Sequence, residues 1–222
     1  MVVMRSYITD LFSIFRKHYV EHARFYSLLA LQIFAVPLLF TVLTRSAVTA
    51  VTLSMALVSL TMLLTVHISV KDMRSRYTYM IENTLPVRSG VRYGFILLNS
   101  TVVSLAGFLV LYLPSLWLSC RMFPISESFQ WVLNSAFFNN RAAFINILGI
   151  HALILIVNVL VRKRPLVGYV LAALAMMAVS YLVRKYIELE YRDMVMMWIY
   201  IVTIATSWIG SYFLLCKFQF KS

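Results

Sequence analysis

Acidic residues are the scarcest feature of this 222-residue chain, eight Asp and Glu against twenty Lys and Arg. Asp10, Glu21, Asp72, Glu82, Glu127, Glu188, Glu190 and Asp193 all fall outside the long apolar runs or at their edges. Ionisable groups buried in lipid are costly and mark ion and proton pathways. Their absence from the apolar runs argues against a proton-coupled carrier or an ion pump. Nucleotide and hydrolase signatures are missing as well: there is no G-x-x-x-x-G-K-[ST], no H-E-x-x-H and no G-x-S-x-G. The chain therefore has no P-loop, zincin site or nucleophile elbow of its own. No catalytic residue, metal ligand set or cofactor is expected. The two cysteines, Cys120 and Cys216, each end an apolar run, and the charge pattern sends those two ends to opposite faces of a membrane, so no disulfide between them is expected either.

What is abundant is hydrophobicity. Apolar residues make up 62% of the chain and charged residues only 13%, about half the charge of a typical soluble domain. Six apolar stretches stand out, Phe25–Thr44, Ser46–Val70, Tyr93–Cys120, Ala142–Val161, Leu166–Val183 and Met194–Cys216. Each meets the ~18–20 residues needed to cross a ~30 Å hydrocarbon core. Backbone amides in lipid must be satisfied within the segment, so such runs are helices. None alternates at period two, which disfavours a transmembrane barrel. The expected fold is an all-α integral membrane protein of six spans, one membrane domain over residues 1–222. The first run begins only after a charged lead of 24 residues and is followed by no A-x-A-like site, so it reads as a span and not a signal peptide.

The net charge of +12 is sorted by position. The lead, the even-numbered loops and the tail hold 14 of the 20 Lys and Arg, the odd-numbered loops 6. The positive-inside rule then puts both termini in the cytoplasm of a multi-pass inner-membrane protein. The basic excess serves orientation and lipid headgroups rather than nucleic acid.

In the lead, Ile8, Leu11, Phe12, Phe15 and Tyr19 recur at helical spacing, with Arg5, Asp10, Ser13, Arg16 and Lys17 largely elsewhere. This pattern predicts an amphipathic helix lying in the inner headgroup layer; the alternative is a cytoplasmic helix packed on the loops. Between spans three and four, Phe129, Val132, Leu133, Ala136 and Phe137 form a second one-sided stripe. The segment after span five reads as a continuation of that helix, laced by Arg184–Glu188 and Glu188–Arg192. Inside the runs, His67 and His151 are the ionisable candidates, better suited to helix–helix hydrogen bonds than to a proton relay. Asn99 and Asn158 can bridge helices in the same way.

One cytoplasmic stretch carries most of the punctuation: YMIENTLPVRSGVRYGF, residues 79–95. Span two is expected to run past Val70 into the cytosol and to break at Leu85, because the residue before a proline disfavours helix. Ser89 can cap the helix that becomes span three. The result is a hairpin over Lys71–Arg92 that offers Tyr77, Tyr79, Met80, Ile81, Leu85, Pro86 and Arg88 to a partner. A simple turn between antiparallel spans is the plainer alternative.

In layout the chain resembles the ABC-2 type permease subunits of ABC transporters, with an in-plane N-terminal helix, six spans, both termini inside and a cytoplasmic loop between spans two and three. Small bacterial members carry TLP[VA]S just before span three, and Thr84-Leu85-Pro86-Val87 is similar to it. Here Arg88 stands where Ser or Thr commonly follows, and the loop between spans five and six is short. The resemblance implies a separate cytoplasmic ATPase bound at residues 71–92, braced by the N-terminal helix. It also implies a second permease half, identical or related, and a transport cycle, usually export, driven by ATP on the partner. A non-transporting scaffold or accessory subunit would use the same hairpin. An intramembrane enzyme is disfavoured by the missing nucleophiles and carboxylates.

Overall fold

The computed structural model describes residues 2–45, 47–71, 89–122, 141–161 and 164–219. Among these residues every regular element is helical: α1 (Val2–Glu21), α2 (Ala23–Thr44), α3 (Ala47–Lys71), α4 (Ser89–Leu98), α5 (Ser104–Met122), α6 (Arg141–Leu160), α7 (Pro165–Tyr186) and α8 (Leu189–Gln219). A π-turn over Asn99–Val103 joins α4 to α5, so the two form one long rod. Four helical stretches, Ala23–Thr44, Gly90–Met122, Pro165–Tyr186 and Leu189–Lys217, are long and apolar enough to cross a membrane. Ala56–Lys71 and Ile145–Leu160 are shorter apolar helical stretches. The chain thus has the character of a multi-pass membrane protein. The hairpin residues Tyr77, Tyr79, Met80, Ile81, Leu85, Pro86 and Arg88, and the stripe Phe129–Phe137, lie outside the described residues.

The helix boundaries follow from local chemistry. Helix α1 breaks from α2 at His22, whose φ and ψ of −109° and 22° leave the helical region. Arg45 ends α2 in the left-handed conformation at φ 52°. Pro165 opens α7 at its first turn, where a missing N–H costs nothing. The expected continuation of span five past Arg184 is corrected here: α7 stops at Tyr186, Ile187 is extended, and α8 restarts at Leu189. Arg192 explains the break. Its Nε donates to the Ile187 carbonyl (2.9 Å) and its Nη2 to the Arg184 carbonyl (2.7 Å). The guanidinium caps the end of α7 by filling carbonyls that the helix leaves open, and the expected ladder through Glu188 gives way to that cap.

Two apolar clusters make the core. One joins Leu29 and Ile33 of α2, Leu57, Val58 and Met62 of α3, Phe108, Tyr112 and Leu116 of α5, and Ile147 of α6. The other joins Val66 and Val70 of α3, Phe95 and Ile96 of α4, Ile154, Leu155 and Val159 of α6, and Leu215 of α8. Neither proline breaks its helix. Pro37 sits inside α2 and Pro114 inside α5, and Ser115 Oγ donates to the Phe34 carbonyl (2.7 Å), tying α5 to the turn that Pro37 loosens.

The most extensive pairing is α6 against α8, and a glycine permits it. A Cβ on Gly149 would collide with the Tyr200 ring, whereas one on Gly94 would meet nothing within 4 Å. Small residues let membrane helices approach closely. Gly149→Ala is therefore expected to destabilise the protein by about 1–3 kcal/mol through overpacking. Gly94→Ala should be neutral or slightly stabilising. Thermal unfolding of both variants in the same detergent checks the difference.

Candidate functional site

Between the two apolar clusters runs a belt of polar side chains, and the π-turn is its crossing point. On α3, Thr65 lies between the cluster residues Met62 and Val66; on α6, His151 lies between Ile147 and Ile154. On the long rod, Asn99, Ser100 and Ser104 lie between Ile96 and Phe108. All five are buried, Asn99, Ser100 and His151 completely.

The sequence Asn99-Ser100-Thr101 favours this local irregularity, because short polar side chains compete for nearby backbone groups. Ser100 Oγ donates to the Ile96 carbonyl at 2.6 Å and Thr101 Oγ1 donates to the Leu97 carbonyl. The amide of Ser104 reaches the Asn99 carbonyl, five residues back. Single π-turns inside α-helices are frequent at functional sites. At the turn consecutive residues serve different neighbours: Asn99 bonds to α1, α2 and α3, and Ser100 to α6.

Asn99 is the hub. Its Oδ1 accepts from Tyr19 Oη (2.7 Å), and its Nδ2 donates to Tyr26 Oη (3.0 Å) and Ser69 Oγ (2.9 Å). Ser69 passes its proton to the Thr65 carbonyl (2.7 Å), and Thr65 Oγ1 stands 3.4 Å from Ser104 Oγ. Tyr26 Oη also meets His18 Nε2 at 2.9 Å. If Tyr26 donates there, each hydroxyl and amide proton from Tyr19 through Asn99 to Tyr26 and Ser69 has an acceptor, and His18 carries its proton on Nδ1. On the other side, His151 Nε2 meets Ser100 Oγ at 2.8 Å. Asn158 ties α6 to α7 through Tyr169 Oη (2.6 Å). Beside the belt a cleft of about 310 Å³ opens between α2 and the rod, lined by Tyr26, Ile33, Thr65, Ser104, Gly107 and Phe108 among others.

Helix α1 is drawn into this belt, which divides the expected interfacial stripe in two. Leu11 and Phe15 pack against the second apolar cluster, together with Ile14. Phe15 meets Phe95 edge-on, their centroids 4.8 Å apart, and Tyr19 lies 4.4 Å from the Tyr26 ring. Ile8 and Phe12 remain 53% and 69% exposed. At the start of the rod, a Cβ on Gly90 would come within 2.5 Å of Tyr7 Oη, the movable tip of an exposed side chain on α1. His67 is half-buried on α3. Cys120 and Cys216 are free thiols. Among the described residues no group of three or more His, Cys, Asp and Glu is placed to hold a metal ion.

Sequence periodicity missed the belt because its members are uncharged and scattered over five helices. The run Asn99-Ser100-Thr101 inside an otherwise apolar span was the available signal. The chain matches no protein-family model, no curated protein and no solved structure.

Burial, with the neighbouring His22 imidazole as a second cause, lowers the His18 pKa from 6.5 to about 4. The same burial raises that of Tyr19. A histidine held neutral in the docked state supports docking fully above its free pKa of 6.5, and that support falls as the pH drops toward 4. Helix α1 is therefore expected to loosen between pH 6.5 and 4. A spin label at the exposed Ser13 should gain mobility over that window, and His18→Gln, which keeps a partner for Tyr26, should flatten the profile.

Proposed function

We propose that the chain is the membrane-spanning permease subunit of an ATP-binding-cassette exporter, energised by a separate cytoplasmic ATPase. In this reading α2, α3, the α4–α5 rod, α6, α7 and α8 are six spans, with both termini and residues 71–92 in the cytoplasm. Helix α1 lies in the plane of the inner surface, with Ile8, Phe12 and Val20 turned toward lipid. A second permease half, identical or related, completes the path.

The observation that carries the reading is the docking of α1 on the first turns of the rod, directly after Thr84-Leu85-Pro86-Val87. The Phe15–Phe95 contact and the Tyr19–Asn99 hydrogen bond couple the N-terminal helix to the helix that leaves the cytoplasmic loop. A push on residues 71–92 would reach α1 and the polar belt together. The charge pattern supports the orientation, since 14 of 20 basic residues fall on the side of the termini. The chain carries no G-x-x-x-x-G-K-[ST], which accords with an energy supply on a partner.

The test is the partner's response to the loop. Leu85→Asp puts a charge where an apolar anchor is expected and should cost the interface on the order of 2 kcal/mol or more. Pro86→Ala should let helix propagate through the bend. Both variants should insert normally but lose co-purifying ATPase or its stimulated turnover, and Arg141→Ala, on the outer side, should keep both. Normal association in both loop variants would return Leu85-Pro86 to a plain turn and favour a scaffold.

Orientation is tested separately. In a cysteine-free background, Ser75→Cys should resist an impermeant thiol reagent in intact cells and react after lysis. Strong labelling of intact cells would overturn the topology.

A further inference from the structure

Nδ1 of His151 on α6 and Nε1 of Trp208 on α8 are buried and make no hydrogen bond among the described residues. The two rings face each other edge-on, with centroids 6.3 Å apart and planes at 78°. Their neighbours fix what each orphaned atom can do. Ser100 Oγ gives its proton to the Ile96 carbonyl at 2.6 Å, so toward His151 its oxygen accepts, and the 2.8 Å contact is donated by Nε2–H. A neutral imidazole with its proton on Nε2 leaves Nδ1 as a bare acceptor. The indole Nε1–H is a donor only.

A buried acceptor and a buried donor, both unmet and on facing rings, are complementary. Buried polar groups in native proteins are bonded to protein or to ordered water in the great majority of cases. We propose that one water molecule is bound between His151 and Trp208, donating to Nδ1 and accepting from Nε1–H. Two hydrogen bonds of ~2.9 Å allow one water to bridge atoms up to roughly 5.5 Å apart, and the ring centroids lie 6.3 Å apart. Water is the ligand that fits because it carries a donor and an acceptor on one atom. His151 is fully buried, and Trp208 packs against the cluster that holds Ile96, Ile154 and Leu155. The water extends the polar belt from Ser100 through His151 to α8, whose Trp208 carbonyl already accepts from Tyr93 Oη at 2.7 Å. The site stands whether or not the chain is a permease.

Proton-detected solid-state NMR of the full chain in lipid bilayers tests this. Ile150-His151 is the sole Ile-His pair and Ser207-Trp208 the sole Ser-Trp pair in the sequence. Paired carbonyl and amide labelling therefore assigns both rings in the unmodified protein. The expected result is a cross-peak from slowly exchanging water to His151 Nδ1 and to Trp208 Nε1–H. Trp208→Phe, which removes one anchor, should weaken the His151 water signal several-fold. A through-bond coupling between Trp208 Nε1 and His151 Nδ1 would reveal a direct bond in place of the water and overturn the proposal. So would the absence of any water contact at either atom.

Discussion

A polar side chain in the interior of an apolar helical bundle has no bulk water to fall back on, and each one left unbonded costs about 1–3 kcal/mol. That constraint organises this protein around Asn99. Its amide saturates donors and acceptors on three other helices, through Tyr19, Tyr26 and Ser69. Apolar packing between membrane helices is weakly directional, because lipid tails are as apolar as leucine. The belt supplies the missing direction: it selects which faces of α1, α2 and α3 meet the rod, and the clusters above and below it fill in around that choice.

The π-turn sits at the same point. The adjacent residues Asn99 and Ser100 bond to different helices while both stay fully buried, a division that the step of about 100° between successive helical residues already allows. The turn opens the hydrogen-bond ladder of the rod locally, and Ser100 and Thr101 bond to carbonyls of the preceding turn. The rod is thus least regular where it touches most partners. A helix with a local break in its ladder is also suited to bending there, so movement arriving from the Ser89 end of the rod would be felt at the belt.

Much of the helical layout was legible in the sequence, because length and apolarity alone specify it. The run Phe25–Thr44 became α2, Ser46–Val70 corresponds to α3, and Tyr93–Cys120 lies within the rod. The periodic lead became α1, but periodicity gave its apolar face without saying which part would dock; Leu11 and Phe15 found Phe95 and its neighbours, and Ile8 and Phe12 did not. Spacing of charges misled after Tyr186. Arg192 had an alternative that a four-residue rule ignores, namely the open carbonyls of a helix end. The belt was hardest to read, since Tyr19 and Asn99 lie 80 positions apart and no local pattern links them. His151 matched its reading as a helix contact through Nε2, while its second nitrogen carries information only the packing reveals.

The central claim is that this chain works as a permease driven by a partner's ATP. Extraction from native membranes in mild detergent, followed by quantitative identification of what remains bound, tests it most directly. The account predicts a stoichiometric ATP-binding-cassette protein whose hydrolysis of ATP depends on the presence of this chain. Recovery of the chain without any such ATPase, or with one whose turnover is indifferent to it, would contradict the claim.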